Sequence, residues 1–143
     1  MLDASTLIAY LDRRESVTPV AIHIIDEYIR TGRNLGVVSM ISVMEVLVRP
    51  LRQGAPEPYR HVLDFLTSFP NLRAAEVDLP VVQEAASLRA VYNFSPPDAL
   101  TIATGLVAQV GHLFTNDGTW SPRLHRFASR VSICQLSDHL PFP

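Results

Sequence analysis

Residues 95–117, SPPDALTIATGLVAQVGHLFTND, predict a helix that is followed by a short buried strand. Ser95 can cap the helix, the two prolines after it fit the first turn, and Gly111 is a natural stop. The segment 112–117, HLFTND, is a short apolar run, which favours a buried strand. The stretch therefore predicts one helix–strand unit whose strand leads to Asp117.

Helices and strands alternate in the same way along the rest of the chain. Residues 1–3 look like the end of a strand, and a short helix that Ser5 or Thr6 can cap follows them. Further helices are predicted at 18–32 (capped by Thr18), 40–50 (ended by Pro50), 57–69 and 80–93, and further strands at 35–39, 72–78 and 130–136. Strands separated by helices favour a parallel sheet covered on both faces. We therefore expect an α/β fold, a three-layer sandwich with a mostly parallel central sheet.

The composition limits the classes of protein to consider. At 143 residues the chain is most simply one domain, 1–143, with an irregular tail at 138–143. A hydrophobic fraction of 48% beside 18% charged residues hints at an apolar face buried against a partner. Cys134 is the only cysteine, which excludes an internal disulfide and a cysteine-based zinc site. No export signal or apolar run of about 18 residues is present, so we expect a cytoplasmic protein that does not enter a membrane.

Four acidic residues lie where strands end or within otherwise apolar helices. Asp3 follows the first strand, and Asp117 ends the segment HLFTND. Asp98 lies in the first turn of the helix that Ser95 opens, and Glu45 interrupts the apolar run MISVMEVLV. In open α/β sheets the functional site lies beyond the carboxyl ends of the strands. The four acids are therefore candidates for a single site.

Each acid also has a local explanation. Asp98 occupies a capping-box position, and Asp117 precedes a glycine in a common turn signal. Glu45 can pair with Arg49 one helical turn later, and Asp3 can be solvated near the chain terminus. Taken singly, these explanations compete with a functional role at every position.

Taken together, the acids favour a metal site. Ionised carboxylates repel one another at close range, so acids that converge need compensating charge. Hard divalent cations prefer oxygen ligands, which makes Mg²⁺ or Mn²⁺ the expected cofactor. The net charge of −2 does not indicate a nucleic-acid binder, but bound cations can offset the carboxylates locally. The five histidines are scattered without a helical HxxxH spacing, so zinc is disfavoured.

Four segments of the chain, taken in order, resemble the PIN domain family, and most of all the VapC-type toxins of bacterial type II toxin–antitoxin pairs. They are LDASTLIAYL (2–11), VSMISVMEVL (38–47), PPDALTIATGL (96–106) and LFTNDGTW (113–120). Together they extend over nearly the whole chain. One departure is that only Met1 and Leu2 precede the first aspartate, where family members usually have several apolar residues. We therefore expect a shortened first strand.

The resemblance implies a divalent-metal-dependent endoribonuclease that cuts RNA phosphodiesters by attack of a metal-activated water. The acids of the family fall on Asp3, Glu45, Asp98 and Asp117, which would hold Mg²⁺ or Mn²⁺. The polar residues that would support them by hydrogen bonds are Ser5, Thr6, Thr115 and Asn116. The resemblance also implies a small antitoxin that inserts a segment into the active-site groove, and a homodimer with a second copy of the chain.

Several basic and aromatic residues are candidates for holding RNA. Arg89 matches a position where relatives often carry a basic residue, although a salt bridge to Glu84 or Glu45 explains it equally well. Trp120 and Tyr92 can stack on bases, but we expect both to pack within the protein. Three arginines share a face if their segment is helical and can then contact phosphates, with a solvated surface as the alternative: Arg123, Arg126 and Arg130.

Three other functions stay open at this point. The chain can be a PIN nuclease with a housekeeping role in RNA processing, or a non-catalytic PIN-like interaction module, against which the four acids argue. A phosphatase of the haloacid dehalogenase type also places an aspartate after its first strand. That class needs a second aspartate two residues later, where this chain has Ser5, and a catalytic lysine, of which there is none.

Overall fold

The computed structural model describes residues 1–125 and 129–142, in which helices and short strands alternate. The helices are α1 (Ala4–Asp12), α2 (Thr18–Ile22), α3 (Met40–Arg52), α4 (Pro56–Ser68), α5 (Leu79–Tyr92), α6 (Pro96–Val107) and α7 (Trp120–Leu124). The strands are β1 (Gly36–Ser39), β2 (Leu72–Ala75), β3 (His112–Thr115) and β4 (Ser132–Gln135). Within these described residues, no helix combines the length and the apolar character needed to cross a bilayer.

The strands pair in parallel, and Leu2 joins the two halves of the sheet. Strand β1 pairs with β2, and β3 pairs with β4, both in parallel register. Leu2 forms a parallel bridge to Val38 on one side and to Phe114 on the other. The order across the sheet is therefore β2–β1–Leu2–β3–β4, and the predicted parallel central sheet is confirmed.

The short first strand is held by hydrogen bonds from both of its neighbours. The Leu2 N–H donates to the Val37 carbonyl at 2.9 Å, and the Asp3 N–H donates to the Phe114 carbonyl at 3.1 Å. The Phe114 N–H in turn donates to the Met1 carbonyl at 2.9 Å. Because so few residues can form only a short ladder, pairing on both edges satisfies their backbone groups. This central position places Asp3 at the carboxyl edge of the sheet.

Alternate residues of the central strands pack into two hydrophobic clusters, one on each face of the sheet. Leu2 and Val38 pack with apolar residues of α1 to α4, whereas Val37 and Leu113 pack with those of α5 to α7. Helix α6 approaches the sheet closely, since a Cβ atom at Gly105 would lie 3.0 Å from the Met1 sulfur. The predicted three-layer sandwich is confirmed.

Pro50 and Thr18 do not play the roles that the sequence predicts for them, which were to end one helix and to cap another. Helix α3 does not end at Pro50 but continues to Arg52, because the proline lies in the last turn and the Ala55 N–H closes onto its carbonyl at 3.0 Å. Thr18 opens α2 without capping it. Its hydroxyl donates instead to the Ala9 carbonyl at 2.9 Å, which ties α2 to α1.

Three boundaries also differ from the prediction. The helix predicted at 18–32 changes to a π-helix at His23–Arg30. Helix α6 ends at Val107, ahead of Gly111, because the chain turns at Gln109 with φ of 53°. Residues 136–139, partly predicted as irregular tail, form one 3₁₀ turn.

The pairing of the first strand on both edges predicts that truncating Leu2, one of its two core side chains, lowers stability substantially. Leu2 is 1% exposed, so Leu2→Ala should lower the free energy of unfolding by about 2–5 kcal/mol, through lost burial and the cavity left behind. Leu35→Ala is the matched control, since Leu35 is 76% exposed and should cost little. Urea titration measures both variants, and equal small losses would contradict the central role of Leu2.

Candidate active site

The carboxyl edge of the sheet opens into a groove of about 310 Å³. Asp3 follows the central strand and Asp117 follows β3, so parallel pairing brings both acids to this edge. Glu45 from α3 and Asp98 from α6 line the same groove. The structure thus places around one groove the four acids that the sequence indicates.

Asp3 is a buried carboxylate that accepts hydrogen bonds on both oxygens. The Thr6 N–H donates to Oδ1 at 2.8 Å, which makes Asp3 the cap of α1 in place of Ser5 or Thr6. The Thr115 hydroxyl donates to Oδ2 at 2.6 Å, and the Ser5 hydroxyl lies 2.8 and 2.9 Å from the two oxygens. Burial raises the pKa of Asp3, while the hydrogen bonds from Thr115, Thr6 and Ser5 lower it.

The same hydroxyl groups join the start of α1 to the end of β3. The Ser5 hydroxyl accepts from the Asn116 N–H at 2.7 Å, and the Thr6 hydroxyl donates to the Phe114 carbonyl at 3.0 Å. The Thr115 hydroxyl accepts from the Asp117 N–H at 2.9 Å. These bonds fix the backbone on which Asp3 and Asp117 are carried. The supporting residues predicted from the sequence thus lie around Asp3, with Asn116 acting through its backbone.

Asp98 and Asp117 are each held by the local motif that the sequence suggests. The Ser95 hydroxyl donates to Asp98 Oδ2 at 2.5 Å and lies 3.3 Å from the Asp98 N–H, so Ser95 caps α6 and also holds the carboxylate. Asp117 Oδ1 accepts from the Thr119 N–H at 2.8 Å in the turn after β3. Both carboxylates nevertheless line the groove. Each of these two acids therefore makes its local hydrogen bond and also lines the groove.

Glu45 is half-buried and lines the groove without an ion pair among the described residues. The predicted pairing with Arg49 is not formed, because Arg49 binds Asp12 at the end of α1. Burial raises the pKa of Glu45, and the negative charges of Asp98 and Asp3 raise it further. The carboxylates of the groove therefore act on one another electrostatically.

The donor chemistry of the groove is that of a site for a hard cation. Four carboxylates supply oxygen ligands, the type that Mg²⁺ and Mn²⁺ prefer. In residues 1–125 and 129–142, however, no three acidic, histidine or cysteine side chains are arranged to hold a metal ion. The acids surround the groove without closing into a cage, so a bound cation would draw their side chains closer together.

Four further residues line the groove, Ala4, Ile8, Thr101 and Trp120, and of these the sequence indicated only Trp120, as a residue able to stack on bases. Thr101 lies three residues after Asp98 on α6, a spacing that puts both on one helix face and could have indicated it. Trp120 is 2% exposed and packs in the core as predicted, yet its ring also lines the groove. Tyr92 packs near Phe94, with ring centroids 6.3 Å apart.

The basic residues predicted to hold RNA are dispersed. Arg123 is exposed on α7, and its guanidinium carbon lies 5.3 Å from the centroid of the Phe94 ring. Arg89 is exposed on α5, and the predicted partner Glu84 pairs instead with Arg130 at 3.0 Å. Arg126 lies outside the described residues, and α7 ends at Leu124, so a common helical face for the three arginines is not part of the described structure.

Solved structures of toxin–antitoxin proteins share this fold. VapBC2 from Rickettsia felis, bound to a DNA fragment from its promoter, is 13% identical with a TM-score of 0.70, covering 94% of this chain and 96% of that chain. A toxin–antitoxin complex from Klebsiella pneumoniae is 18% identical with a TM-score of 0.65, covering 94% and 95%. At such identities the likeness establishes the fold alone.

A third structure is the Mycobacterium tuberculosis toxin VapC20, described as cleaving the sarcin–ricin loop. It is 13% identical with a TM-score of 0.66, and the match covers 81% of this chain and 89% of that chain. No curated protein sequence matches this chain significantly.

A family model described as PIN domain matches residues 1–121, which is most of the chain. The matched range includes all four acids of the groove. The parallel sheet and the site at its carboxyl edge agree with the match, and the structural neighbours are VapBC-type toxins. The chain therefore belongs to the PIN domain family.

Proposed function

We propose that the protein is a divalent-metal-dependent endoribonuclease and the toxin of a type II toxin–antitoxin pair. The observation that carries the proposal is the set of four carboxylates, Asp3, Glu45, Asp98 and Asp117, around one open groove at the carboxyl edge of the sheet. The proposal is also supported by the membership of the chain in the PIN family and by the fold that it shares with VapBC toxins. The nuclease would be a single domain over 1–143 that acts on cytoplasmic RNA.

The residues of the groove fit Mg²⁺ or Mn²⁺. We infer that Asp3, Asp98 and Asp117 hold the cation, with Glu45 completing the set, because all are oxygen donors on one groove. Burial raises the pKa of Glu45, and the negative charges of Asp98 and Asp3, which a cation would offset, raise it further. When bound, the cation lowers the pKa of water and offsets charge on the phosphoryl oxygens.

The protein groups around the groove would orient the reactants. Asp3 is fixed by Thr6, Ser5 and Thr115, so its carboxylate presents the same face to the groove throughout the reaction. Glu45 lies on the opposite helix α3 and would orient the attacking water for in-line displacement at phosphorus. The groove is open to solvent on one side, as a polymeric substrate requires.

Two arginines are the proposed contacts to the RNA backbone. The guanidinium of Arg123 lies over the ring of Phe94, which directly precedes Ser95, the cap of the helix that carries Asp98. Arg89 is exposed on α5 and would contact a more distant phosphate. Both roles follow from position and charge.

The proposed protein partners are a small antitoxin and a second copy of the chain. Exposed apolar side chains support protein contacts, because soluble proteins rarely expose such groups together without a partner. On α3 they are Met40, Met44 and Leu51, which are 46%, 52% and 60% exposed; on α5 they are Leu79, Val82 and Val91. A short adjoining gene for a DNA-binding antitoxin would support the toxin role, and its absence would favour a housekeeping RNA-processing nuclease.

Replacing Asp98 by asparagine should abolish cleavage while the helix cap stays intact. Asn keeps the shape of the side chain and removes the charge that a cation needs, so cleavage of structured RNA in Mg²⁺ or Mn²⁺ should fall by at least about 100-fold. Purified protein freed of any partner is assayed on a gel, with EDTA as the metal-free reference.

The matched control is Asp78→Asn. Asp78 caps α5 by accepting from the Val81 N–H at 3.1 Å, and it does not line the groove. This variant should cleave like the parent. Cleavage by Asp98→Asn at the parental rate would show that the site is wrongly assigned, and cleavage that survives EDTA would exclude the metal-dependent chemistry.

Replacing Glu45 by glutamine should stabilise the metal-free protein at neutral pH. The pKa of Glu45 is raised above its ordinary value of 4.5, so the folded state binds this proton more tightly than the unfolded chain does. Its contribution to stability is complete below pH 4.5 and is lost as the pH rises through the folded-state pKa. Urea titration in EDTA should therefore find Glu45→Gln more stable than the parent at pH 7.5, with the difference vanishing near pH 4.

Glu27→Gln serves as the control, since Glu27 is exposed on the π-helix and should change little. Added Mg²⁺ should then stabilise the parent more than Glu45→Gln, because a cation that binds the folded state adds to its stability. A metal-free Glu45→Gln variant that is less stable than the parent at pH 7.5 would contradict the repulsion described for the groove.

A further inference from the structure

Thr101 is a buried polar residue in the wall of the acidic groove. It lies on α6 one turn beyond Asp98, and its side chain lines the groove while the residue is only 3% exposed. Neither the cap of α6 nor the hydrogen bonds around Asp3 involve it. Its presence among the four carboxylates therefore needs its own explanation.

The hydroxyl of Thr101 differs from those of the other helical threonines. Thr67 and Thr104 donate to the carbonyl four residues earlier, at 2.8 Å in both cases, which satisfies the hydroxyl within its own helix. Within residues 1–125 and 129–142, Thr101 makes no such bond to Pro97 and no other side-chain hydrogen bond. The residue is 3% exposed, but its Oγ1 is not one of the fully buried unpaired oxygens of the described residues, so the hydroxyl reaches the groove. A hydroxyl that has no protein partner and opens onto the groove is able to donate to a ligand bound there.

An inventory of hydrogen-bond donors indicates the kind of ligand. The groove is lined mainly by acceptors, and the single proton of the Ser5 hydroxyl is already directed to Asp3. The indole N–H of Trp120 has no partner among the described residues, but it is fully buried behind the surface of the groove. Of the described hydroxyl groups on the groove surface, that of Thr101 is therefore the one whose proton is still available to a ligand.

A phosphodiester carries only acceptors on its non-bridging oxygens and so complements a free donor. We propose that the Thr101 hydroxyl donates a hydrogen bond to a non-bridging oxygen of an RNA phosphate bound in the groove. The proposal rests on the nuclease function proposed above and assigns the substrate contact of one residue in it. Thr101 then positions the phosphate between the carboxylates of α6 and α3.

The test compares three threonine variants in the full-length chain. Thr101→Val keeps the shape of the side chain and removes the hydroxyl, Thr101→Ser keeps the hydroxyl, and Thr104→Val removes a buried hydroxyl of the same helix that does not line the groove. Each variant is measured for kcat and KM on RNA in Mg²⁺, for RNA binding in Ca²⁺, and for stability in urea.

Thr101→Val should weaken RNA binding and lower kcat/KM by about tenfold or more, the usual effect of losing a hydrogen bond to a charged group. Its stability should not fall, because no protein partner loses a bond. Thr101→Ser should restore binding. Thr104→Val should lose stability with unchanged RNA affinity, since its hydroxyl bonds Leu100 and lies 3.2 Å from the Ser39 hydroxyl.

The outcomes separate this proposal from the nuclease function. If the parent cleaves RNA and Thr101→Val shows parental KM and RNA affinity, the phosphate contact is wrong although the nuclease stands. If Thr101→Val lowers kcat alone, the hydroxyl acts on another group and the contact is likewise wrong. If the parent does not cleave RNA, the nuclease function fails, but RNA affinity in Ca²⁺ still tests the phosphate contact. Weaker RNA binding by Thr101→Val supports the contact, and equal binding overturns it.

Discussion

The buried carboxylate of Asp3 is the constraint on which the rest of the site depends. An ionised carboxylate away from water is costly unless its oxygens are hydrogen-bonded, and Asp3 is 4% exposed. Its three described donors are the Ser5 hydroxyl, the Thr6 N–H and the Thr115 hydroxyl, which lie on α1 and β3. The charge therefore fixes the start of the first helix to the end of a strand more than 100 residues away, as the separation of 112 residues to Thr115 shows.

The same hydrogen bonds leave Asp3 with capacity for a further positive group. A carboxylate has about four acceptor positions, and three protons from the protein occupy three of them. The remaining position would be available to a cation at the groove. This arrangement lets one residue cap a helix, join two elements and present a ligand, with no change in its conformation between those roles.

The sequence predicts the architecture well because the architecture follows from local patterns. Strands separated by helices require a parallel sheet, and parallel strands bring the residues after them, Asp3 and Asp117, to one edge. The pairing of Leu2 on both sides could not be predicted, because a strand of so few residues has no periodicity to read. Thr101 was missed for a related reason: its spacing from Asp98 is visible, but whether its hydroxyl finds a partner among the described residues depends on non-local packing.

The local motifs and the site reinforce each other. The Ser95 hydroxyl that holds Asp98 and the turn that holds Asp117 restrict two carboxylates before any cation arrives. Glu45 has no such motif, and its pKa is raised first by burial and then by the charges of Asp98 and Asp3. Glu45 is thus the acid of the groove that no described side-chain bond restrains. A cation would offset the charge that Asp98 and Asp3 place on it, and the acids held by local bonds would direct that cation to one place.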